Sequence, residues 1–358
     1  MKSSKHEDST GNPVKIIRST APIRINDIGG WTDTWFSGRG RVLNTAVSPG
    51  TEISISVSMN SSGRKDRILI HALNYDKIFR VIPEEPDYRI HPLIQGAINM
   101  IPPPPGLELK IAVQSKVPAG ISTGTSASVC VSLLGALDCL KENNRSAKEI
   151  ARLAFAVETE KLNLQSGIQD QICAALGGIC DIRMVNYPDA DIYKLDLTDD
   201  LKSELDRRLV LVYFGQSHHN SSELHKEVIS FLEEEGSGFH IFEDLRSLAG
   251  LAKDALLSGN MGEFGKVMIR NNECQRALHP SLVPKEADRI IQVSRKYRAE
   301  GWKVNGAGGS GGSMVILGPN DGDDCHKMSE EIDSLGEGIC TIPITVNFTG
   351  LKTRISEL

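Results

Sequence analysis

Apolar and polar residues alternate along two stretches in the first third of the chain. Ile53, Ile55 and Val57 share one side of residues 51–58, and residues 107–113 alternate in the same way. A period of two is typical of a β-strand with one buried and one solvent-exposed face. The pattern therefore predicts two half-exposed strands.

Other stretches have the period of a helix. Residues 126–140 are apolar on almost every side, which predicts a helix buried in the centre of a domain. The next helix begins with a capping box, because Ser146 is followed three residues later by Glu149 and then by an apolar stripe. Apolar residues at helical spacing over 93–100 predict a further helix.

The second half of the chain mixes both kinds of element. The pattern predicts strands over 209–214, 314–317 and 341–348, and helices over most of 222–300. The polar residues 189–206 before them predict a boundary region. Because strands and helices occur in both halves without regular βα alternation, we expect an α+β architecture.

The length of 358 residues exceeds that of one average domain. We expect a disordered segment over 1–12, an N-terminal domain over 13–200 and a C-terminal domain over 201–358. No internal repeat of 20 to 50 residues is evident, which argues against a solenoid.

Composition and charge narrow the class of partner. With 24% charged and 40% hydrophobic residues the chain is typical of soluble globular proteins. The net charge of -6 gives no support for nucleic acid or an anionic membrane as the main partner, since both favour a basic surface. We expect a small-molecule partner and a possible homodimer.

The cysteines indicate the compartment. There are seven, none in a CxxC pair, which is typical of reduced thiols. The first dozen residues lack the apolar core of a signal peptide, and the apolar helix near 127–140 is too short to span a bilayer. The expectation is a cytoplasmic protein without a membrane partner.

The segment at 118–128 (PAGISTGTSAS) carries the main candidate chemistry, because it leads from a predicted strand into the apolar helix. Glycines let backbone amides approach an anion, and a helix N-terminus favours negative charge, so the segment is a candidate polyphosphate site. It is not a Walker A loop, since Thr125 and not lysine follows Gly124. An ordinary strand-to-helix loop with a Ser/Thr N-cap is the alternative interpretation.

Three more segments accompany this one. Near the start, Arg24 belongs to a strand-like run that ends in Gly-Gly-Trp-Thr-Asp at 29–33. Further on stand Ser-Gly-Ile-Gln-Asp-Gln at 166–171 and a second glycine-rich stretch at 305–312. This ordered set resembles the GHMP kinase superfamily, named for galactokinase, homoserine kinase, mevalonate kinase and phosphomevalonate kinase.

The resemblance implies a two-domain α+β fold, with a ribosomal-protein-like N-terminal domain and a ferredoxin-like C-terminal domain. It also implies an enzyme that transfers the γ-phosphate of ATP to an alcohol group, with Mg²⁺ as the metal. The Gly-Gly-Trp-Thr-Asp form of the first motif is most similar to that of heptose-phosphate kinases and the kinase part of fucokinases. It favours the anomeric hydroxyl of D-glycero-D-manno-heptose 7-phosphate as acceptor, then fucose, with galactose weaker. A non-catalytic sensor of sugar and ATP is the alternative from another class.

Several residues take on roles from this resemblance. Asp170 would be the catalytic base, assisted by Arg24, while Ser126 and Glu158 would bind Mg²⁺. The ATP-binding residues would be Pro118, Gly120, Ser122, Thr123, Gly124, Thr125, Ser126 and Ala127. The substrate-binding residues would be Arg24, Gly30, Trp31, Asp33, Asp170, Gly308 and Gly309.

Each role has a structural alternative. Arg24 is also typical of a surface strand residue, Asp33 of a turn residue and Asp170 of a helix N-cap. Glu158 and Glu160 are both candidates for the magnesium partner, and the match favours Glu158.

Three further points stay open. Ser122 and Thr123 replace a Gly-Leu pair of the family's loop, so the loop would reach the nucleotide either with Ser122 in an allowed conformation or with altered geometry, and nucleotide affinity or base preference could differ. If the acceptor carries a phosphate, the candidates for its cation are His218, Arg183, Arg276 and Lys352, and the sequence ranks none above the others. His218 and His219 also form a pair that resembles metal ligands, but no carboxylate or cysteine nearby completes a ligand set.

Overall fold

The computed structural model describes residues 15–216, 221–235, 239–309, 311–336 and 338–357. The strands are β1 (Lys15–Ile28), β2 (Gly40–Met59), β3 (Ile68–Ala72), β4 (Lys77–Val81), β5 (Leu107–Ser115), β6 (Ile179–Asn186), β7 (Asp189–Lys194), β8 (Leu209–Phe214), β9 (Gly301–Val304), β10 (Ser313–Leu317), β11 (Ile339–Ile342), β12 (Thr345–Val346) and β13 (Lys352–Glu357). The helices are α1 (Pro92–Met100), α2 (Thr125–Leu140), α3 (Ala147–Ala156), α4 (Gln169–Leu176), α5 (Asp199–Arg208), α6 (Ser221–Glu235), α7 (Phe239–Leu257), α8 (Met261–Leu278), α9 (Lys285–Lys296) and α10 (Gly322–Asp333).

Nine of these strands form a large mixed sheet. Its main path runs β13-β1-β2-β5-β3-β4, with β12 and β6 on β2 and β7 on β6. Strand β2 is 20 residues long and pairs with β6 along its first part and with β5 along its second. Helix α2 packs on β1 and β2 inside the main apolar core, so its predicted central burial is confirmed.

The other four strands form an antiparallel sheet in the order β11-β8-β10-β9. Side chains of β8 alternate between its faces. Leu211 joins a core with α7 and α8, whereas Val212 joins a second core with α9 and α10. Each face of this sheet is therefore covered by helices.

Most predicted elements are confirmed, and the capping box is present with Ser146 accepting from the backbone of Glu149. The strand predicted over 341–348 is wrong, since β11 and β12 are separate there. Pro343 stands between them and has no N–H for a ladder. The polar residues 189–206, for which a boundary region is predicted, contain the exposed strand β7 and part of the surface helix α5, and the boundary itself stays a prediction.

The mixed α/β class is confirmed, while the division at residues 200 and 201 stays a prediction. Strands β12 and β13 belong to the large sheet although they lie in the predicted C-terminal domain. The segment predicted to be disordered, 1–12, lies outside the described residues. Within the described part of the chain, no helix combines the length and the apolar character that a membrane crossing requires.

Candidate active site

A cavity of about 640 Å³ lies where the end of β1, the start of α2 and the loop after β9 meet. Its wall draws on all the predicted motifs. The predicted residues that line it are Arg24, Trp31, Asp33, Gly120, Ser122, Thr123, Gly124, Thr125, Ser126, Glu158, Asp170 and Gly308. Clefts of this size that combine apolar walls with a few polar groups are the usual sites of small ligands.

Four predicted residues do not line the cavity. Pro118 is exposed, Ala127 is buried in the packing of α2, and Gly309 is buried behind the wall. Gly30 lies against Asp27, where a Cβ atom would stand 2.8 Å from the carboxylate. Gly30 is thus explained by packing in this structure and not by a contact with the cavity.

The phosphate loop, residues 118–124, connects β5 to α2. Gly120, Ser122 and Gly124 all have positive φ, at 71°, 61° and 67°. Gly124 is the N-cap of α2, and no side chain caps the helix. The alternative of a Ser/Thr N-cap is therefore wrong, and the first N–H groups of α2 remain free of a side-chain cap, as an anion site requires.

Ser122 keeps the left-handed backbone although it replaces a glycine of the family pattern. That region is costly for a residue with a Cβ atom. The second glycine loop, residues 305–312, packs directly on Ser122. A Cβ atom at Gly312 would lie 2.9 Å from Ser122 Oγ, and one at Gly306 would lie 2.6 Å from the Ser122 carbonyl oxygen. Glycine at these two positions lets the loops close on each other.

Asp170 lies in the first turn of α4 and faces the phosphate loop. Arg24 Nε donates to Asp170 Oδ1 at 2.8 Å, and the side chain of Arg24 is buried. The N-cap of α4 is Ile168 and not Asp170. Both structural alternatives, the surface strand residue and the N-cap, are therefore wrong for this pair. A carboxylate held by a guanidinium beside a phosphate loop is well placed to orient an attacking hydroxyl.

Sequence reasoning missed the two charged residues behind this pair. Lys303 Nζ donates to Asp27 Oδ1 at 2.7 Å, and Arg24 Nη1 lies 3.4 Å from the same oxygen. Lys303 is 0% exposed, in a strand whose four residues are all buried. In the sequence, the available signal was a lysine between the apolar residues Trp302 and Val304.

Asp33 lies in the turn that follows β1, on the opposite wall from the phosphate loop. Its Oδ2 accepts from the backbone N–H groups of Ile168 and Gln169 at 3.1 and 3.2 Å, and its Oδ1 accepts from Gln169 Nε2 at 3.3 Å. Burial, followed by the charge of Asp170, raises the pKa of Asp33 to about 6. Asp33 therefore fixes the start of α4 as well as lining the cavity.

Glu158 lies in a π-helical turn that follows α3. Its Oε2 accepts from Ser166 Oγ at 2.6 Å and from Gln171 Nε2 at 2.9 Å. Burial, opposed in part by these hydrogen bonds, raises the pKa of Glu158 to about 7. Glu160 is exposed and does not line the cavity, so the structure separates the two candidates.

These groups fit a magnesium ion. Glu158 offers a carboxylate and Ser126 a hydroxyl, both hard oxygen ligands, and Mg²⁺ takes only one or two protein groups beside phosphates and water. Gln171 Oε1 is buried beside Glu158 without a hydrogen-bond partner. An unpaired acceptor next to a carboxylate is a suitable place for a metal-bound water.

The acceptor wall is formed by Trp31, Asp33, Gln169 and His225. Trp31 Nε1, Gln169 Oε1 and His225 Nδ1 are buried and have no hydrogen-bond partner among the described residues. The rings of Trp31 and His225 meet edge to face at 4.8 Å. Burial lowers the pKa of His225 to about 4, so its imidazole is neutral at pH 7. Trp31, Gln169 and His225 thus present uncharged donors and acceptors beside Asp170, and Asp33 adds a carboxylate to the wall.

Three of the four predicted cations for an acceptor phosphate are described, and none of the three lines the cavity. Arg183, on β6, pairs with Asp181 at 2.9 Å. Arg276, on α8, pairs with Asp288 at 2.6 Å. Lys352 lies on the exposed strand β13. His218 and His219, in the segment 217–220, lie outside the described residues.

Comparisons with known proteins agree with this geometry. Residues 92–178, which contain the phosphate loop and Asp170, match the family of GHMP kinase N-terminal domains. A mevalonate kinase of Thermococcus onnurineus is 30% identical over 70% of this chain and 68% of its own length. A D-glycero-alpha-D-manno-heptose 7-phosphate kinase of Campylobacter jejuni is 23% identical over 86% of this chain and 91% of its own length.

A bifunctional fucokinase/GDP-fucose pyrophosphorylase of Arabidopsis thaliana is 26% identical over 93% of this chain. The match covers 32% of that protein, so the chain spans about a third of this relative's length. The crystal structure of a D-glycero-D-manno-heptose 1-phosphate kinase from Bacteroides thetaiotaomicron superposes with a TM-score of 0.72 at 23% identity, covering 94% of this chain and 98% of that one. The shared fold is that of GHMP kinases.

Proposed function

The chain belongs to the GHMP kinase superfamily of ATP-dependent phosphotransferases, and from this premise we propose that it is a sugar kinase. The observation that carries the proposal is the acceptor wall. Three buried polar atoms without partners, on Trp31, Gln169 and His225, stand beside Asp33 and the candidate base. Unpaired buried donors and acceptors are costly, and a polyhydroxylated ligand satisfies several of them at once.

The same wall supports a sugar better than a carboxylate acceptor such as mevalonate. Among the described residues that line the cavity, Arg24 is the only lysine or arginine, and it already faces Asp170 and Asp27. A carboxylate brought here would have no free cation, whereas neutral hydroxyl groups need none.

In the proposed reaction the acceptor hydroxyl oxygen attacks the γ-phosphorus of ATP, and the bond to the bridging oxygen of ADP breaks. Asp170 orients the hydroxyl and takes its proton, while Arg24 holds the carboxylate in place. The N–H groups of the phosphate loop and of α2 receive the phosphates. Glu158 and Ser126 would hold Mg²⁺, which when bound neutralises charge on the phosphates.

Two acceptors follow from different observations. The resemblance of the first motif puts D-glycero-D-manno-heptose 7-phosphate first, at the anomeric hydroxyl. The wall favours a neutral sugar such as L-fucose, because the described lining has no cation left for an acceptor phosphate. Galactose is a third choice.

All seven cysteines are unpaired, which supports a reducing compartment such as the cytoplasm. A homodimer stays a prediction.

The test is an acceptor screen. ADP release is measured with ATP and Mg²⁺ against heptose 7-phosphate, fucose, galactose, mannose and mevalonate, and the phosphorylated position is determined by NMR. We expect turnover with one sugar or sugar phosphate and none with mevalonate. Turnover with mevalonate alone would overturn the proposal, and binding of sugar and ATP without turnover would favour the sensor.

A further inference from the structure

Strand β9 buries a lysine completely. Lys303 donates its Nζ to Asp27 Oδ1 and to the Val304 carbonyl oxygen, both at 2.7 Å. Asp27 is 2% exposed and Lys303 0% exposed. Asp27 lines the cavity and Lys303 does not, and the proposed reaction gives neither of them a role.

Asp27 connects this lysine to Arg24 and Asp170, the proposed catalytic pair. One oxygen, Oδ1, accepts from Lys303 and from the backbone N–H of Gly306 at 3.2 Å, and lies 3.4 Å from Arg24 Nη1. Arg24 in turn donates to Asp170 at 2.8 Å. The result is a buried row of alternating charges, from Lys303 through Asp27 and Arg24 to Asp170.

Stability alone does not account for the row. Replacing a buried ion pair by apolar side chains of similar volume is often neutral or stabilising, because the charges lose their hydration on burial. The row is better explained by what it does to Arg24. The guanidinium contacts both Asp170 and Asp27, and its Nη1 also donates to the Ser122 carbonyl oxygen at 3.4 Å, so these partners restrict its orientation.

The second glycine loop is attached to the same atom. The N–H of Gly306 donates to Asp27, and the loop then packs on Ser122 of the phosphate loop. Gly30 makes room for the Asp27 carboxylate, as described above. Asp27 therefore lies where the first motif, the second glycine loop and the catalytic pair meet.

We propose that Asp27 and Lys303 are positioning residues, which hold Arg24 in its hydrogen bond to Asp170 and align the second glycine loop with that pair. They act through Arg24 and Gly306 and do not touch the reacting atoms. The kinetic part of the inference rests on the proposed function, whereas the positioning of Arg24 does not.

The test replaces both charges at once, in Asp27→Leu/Lys303→Met, so that no buried charge is left unpaired. The matched control is Arg67→Met/Glu84→Leu, which removes another ion pair with a buried arginine, at residues that do not line the cavity. Thermal unfolding of both variants checks that they fold. Asp27→Asn is the second variant, since it keeps the shape and an acceptor oxygen but removes the charge.

The first readout needs no turnover. Hydrogen exchange of the Arg24 Nε–H is followed by ¹⁵N NMR, with the signal assigned by its absence in Arg24→Lys. Because this N–H is protected only while the bond to Asp170 persists, we expect exchange to become about 10-fold faster or more in the double variant, moderately faster in Asp27→Asn, and unchanged in the control. Exchange as slow as in the wild type in both variants would overturn the inference.

The second readout separates positioning from binding. We expect kcat to fall about 10- to 100-fold in the double variant while KM for ATP and for the acceptor change less than about 3-fold, since a small misplacement of a catalytic group lowers the rate of the chemical step. Wild-type kcat in the double variant would also overturn it. If the wild-type protein turns over no acceptor, the proposed function fails, and the exchange measurement still decides the role of Asp27 and Lys303.

Discussion

The proposed nucleotide side of the cavity is one continuous segment, residues 118–124 followed by the first turn of α2, and we propose that it acts through backbone N–H groups. The acceptor wall takes side chains from the turn after β1, from α4 and from α6. A backbone site needs particular φ angles and little else, so it tolerates exchanges such as Ser122 for glycine. A side-chain site depends on residues that only the complete fold brings together.

We expect the largest effect on kcat at Asp170, where the phosphate loop and the acceptor wall meet. Asp170→Asn removes the proposed base, and we expect kcat to fall ~10² to 10⁴-fold, or about 3 to 5 kcal/mol of barrier, with little change in either KM. Steady-state kinetics measure this. Asp199→Asn, on a side chain that is 96% exposed, is the matched control and should behave like the wild type. Full activity of Asp170→Asn would remove the proposed mechanism.

The second-largest effect is expected at Gly124, and it tests how closely the phosphate loop approaches Asp170. In Gly124→Ala the new Cβ atom would lie 2.8 Å from Asp170 Cγ, at a φ of +67°. We expect a loss of about 10²-fold in kcat, because the added methyl group displaces Asp170. Gly38→Ala is the control, since φ there is +71° and nothing lies within 4 Å of the new atom. Equal losses in both variants would mean that backbone strain alone is responsible.

A substitution on the acceptor wall should leave the nucleotide side unaffected. We expect Asp33→Asn to raise KM for the sugar about 10- to 100-fold, as a charged hydrogen bond is worth about 1.5 to 3 kcal/mol, with KM for ATP within about 2-fold. Initial rates over a grid of both substrate concentrations give the two constants. A larger change in KM for ATP than in KM for the sugar would contradict the proposed contact between Asp33 and the sugar.

The same variant tests the environment of Asp33 through pH. Burial raises the pKa of this carboxyl from 3.8 to about 6, so its contribution to stability is largest below about pH 4 and is lost as the pH rises through 6. Relative to the wild type, Asp33→Asn should become more stable by up to about 3 kcal/mol between pH 4 and pH 7. Denaturant unfolding at several pH values measures this difference. A constant difference would show that Asp33 titrates normally.

The smallest effect is expected at Ser122, two residues from Gly124 in the same loop. Ser122→Gly relieves a left-handed backbone, so we expect a gain in unfolding free energy of at most about 1 kcal/mol and a KM for ATP within about 3-fold of the wild type. Nucleotide titrations and thermal unfolding are sufficient here. A tenfold weaker KM for ATP would mean that the Ser122 hydroxyl, and not only the backbone, contacts the nucleotide.

The difference between local contacts and contacts of distant residues explains which features the sequence could predict. The capping box at Ser146, the buried helix α2 and the phosphate loop depend on neighbours within a few positions, and each can be read from a short stretch of sequence. The Asp27–Lys303 pair joins residues 276 positions apart, and nothing near either residue indicates its partner. Glu158 and Glu160 are likewise equivalent in spacing, and only burial separates them.

The pairing of β1 with β13 has a consequence for synthesis of the protein on the ribosome. Strand β1, which carries Arg24 and Asp27, is made early, whereas β13, its outer neighbour in the sheet, is made after almost every other described element. Contacts of such long sequence separation form late, and a nascent chain grows by only about 5 to 20 residues per second. Strand β1, which carries the proposed catalytic Arg24, therefore keeps one edge unpaired until translation of the described chain is nearly complete. A partly synthesised chain should not yet be an active enzyme.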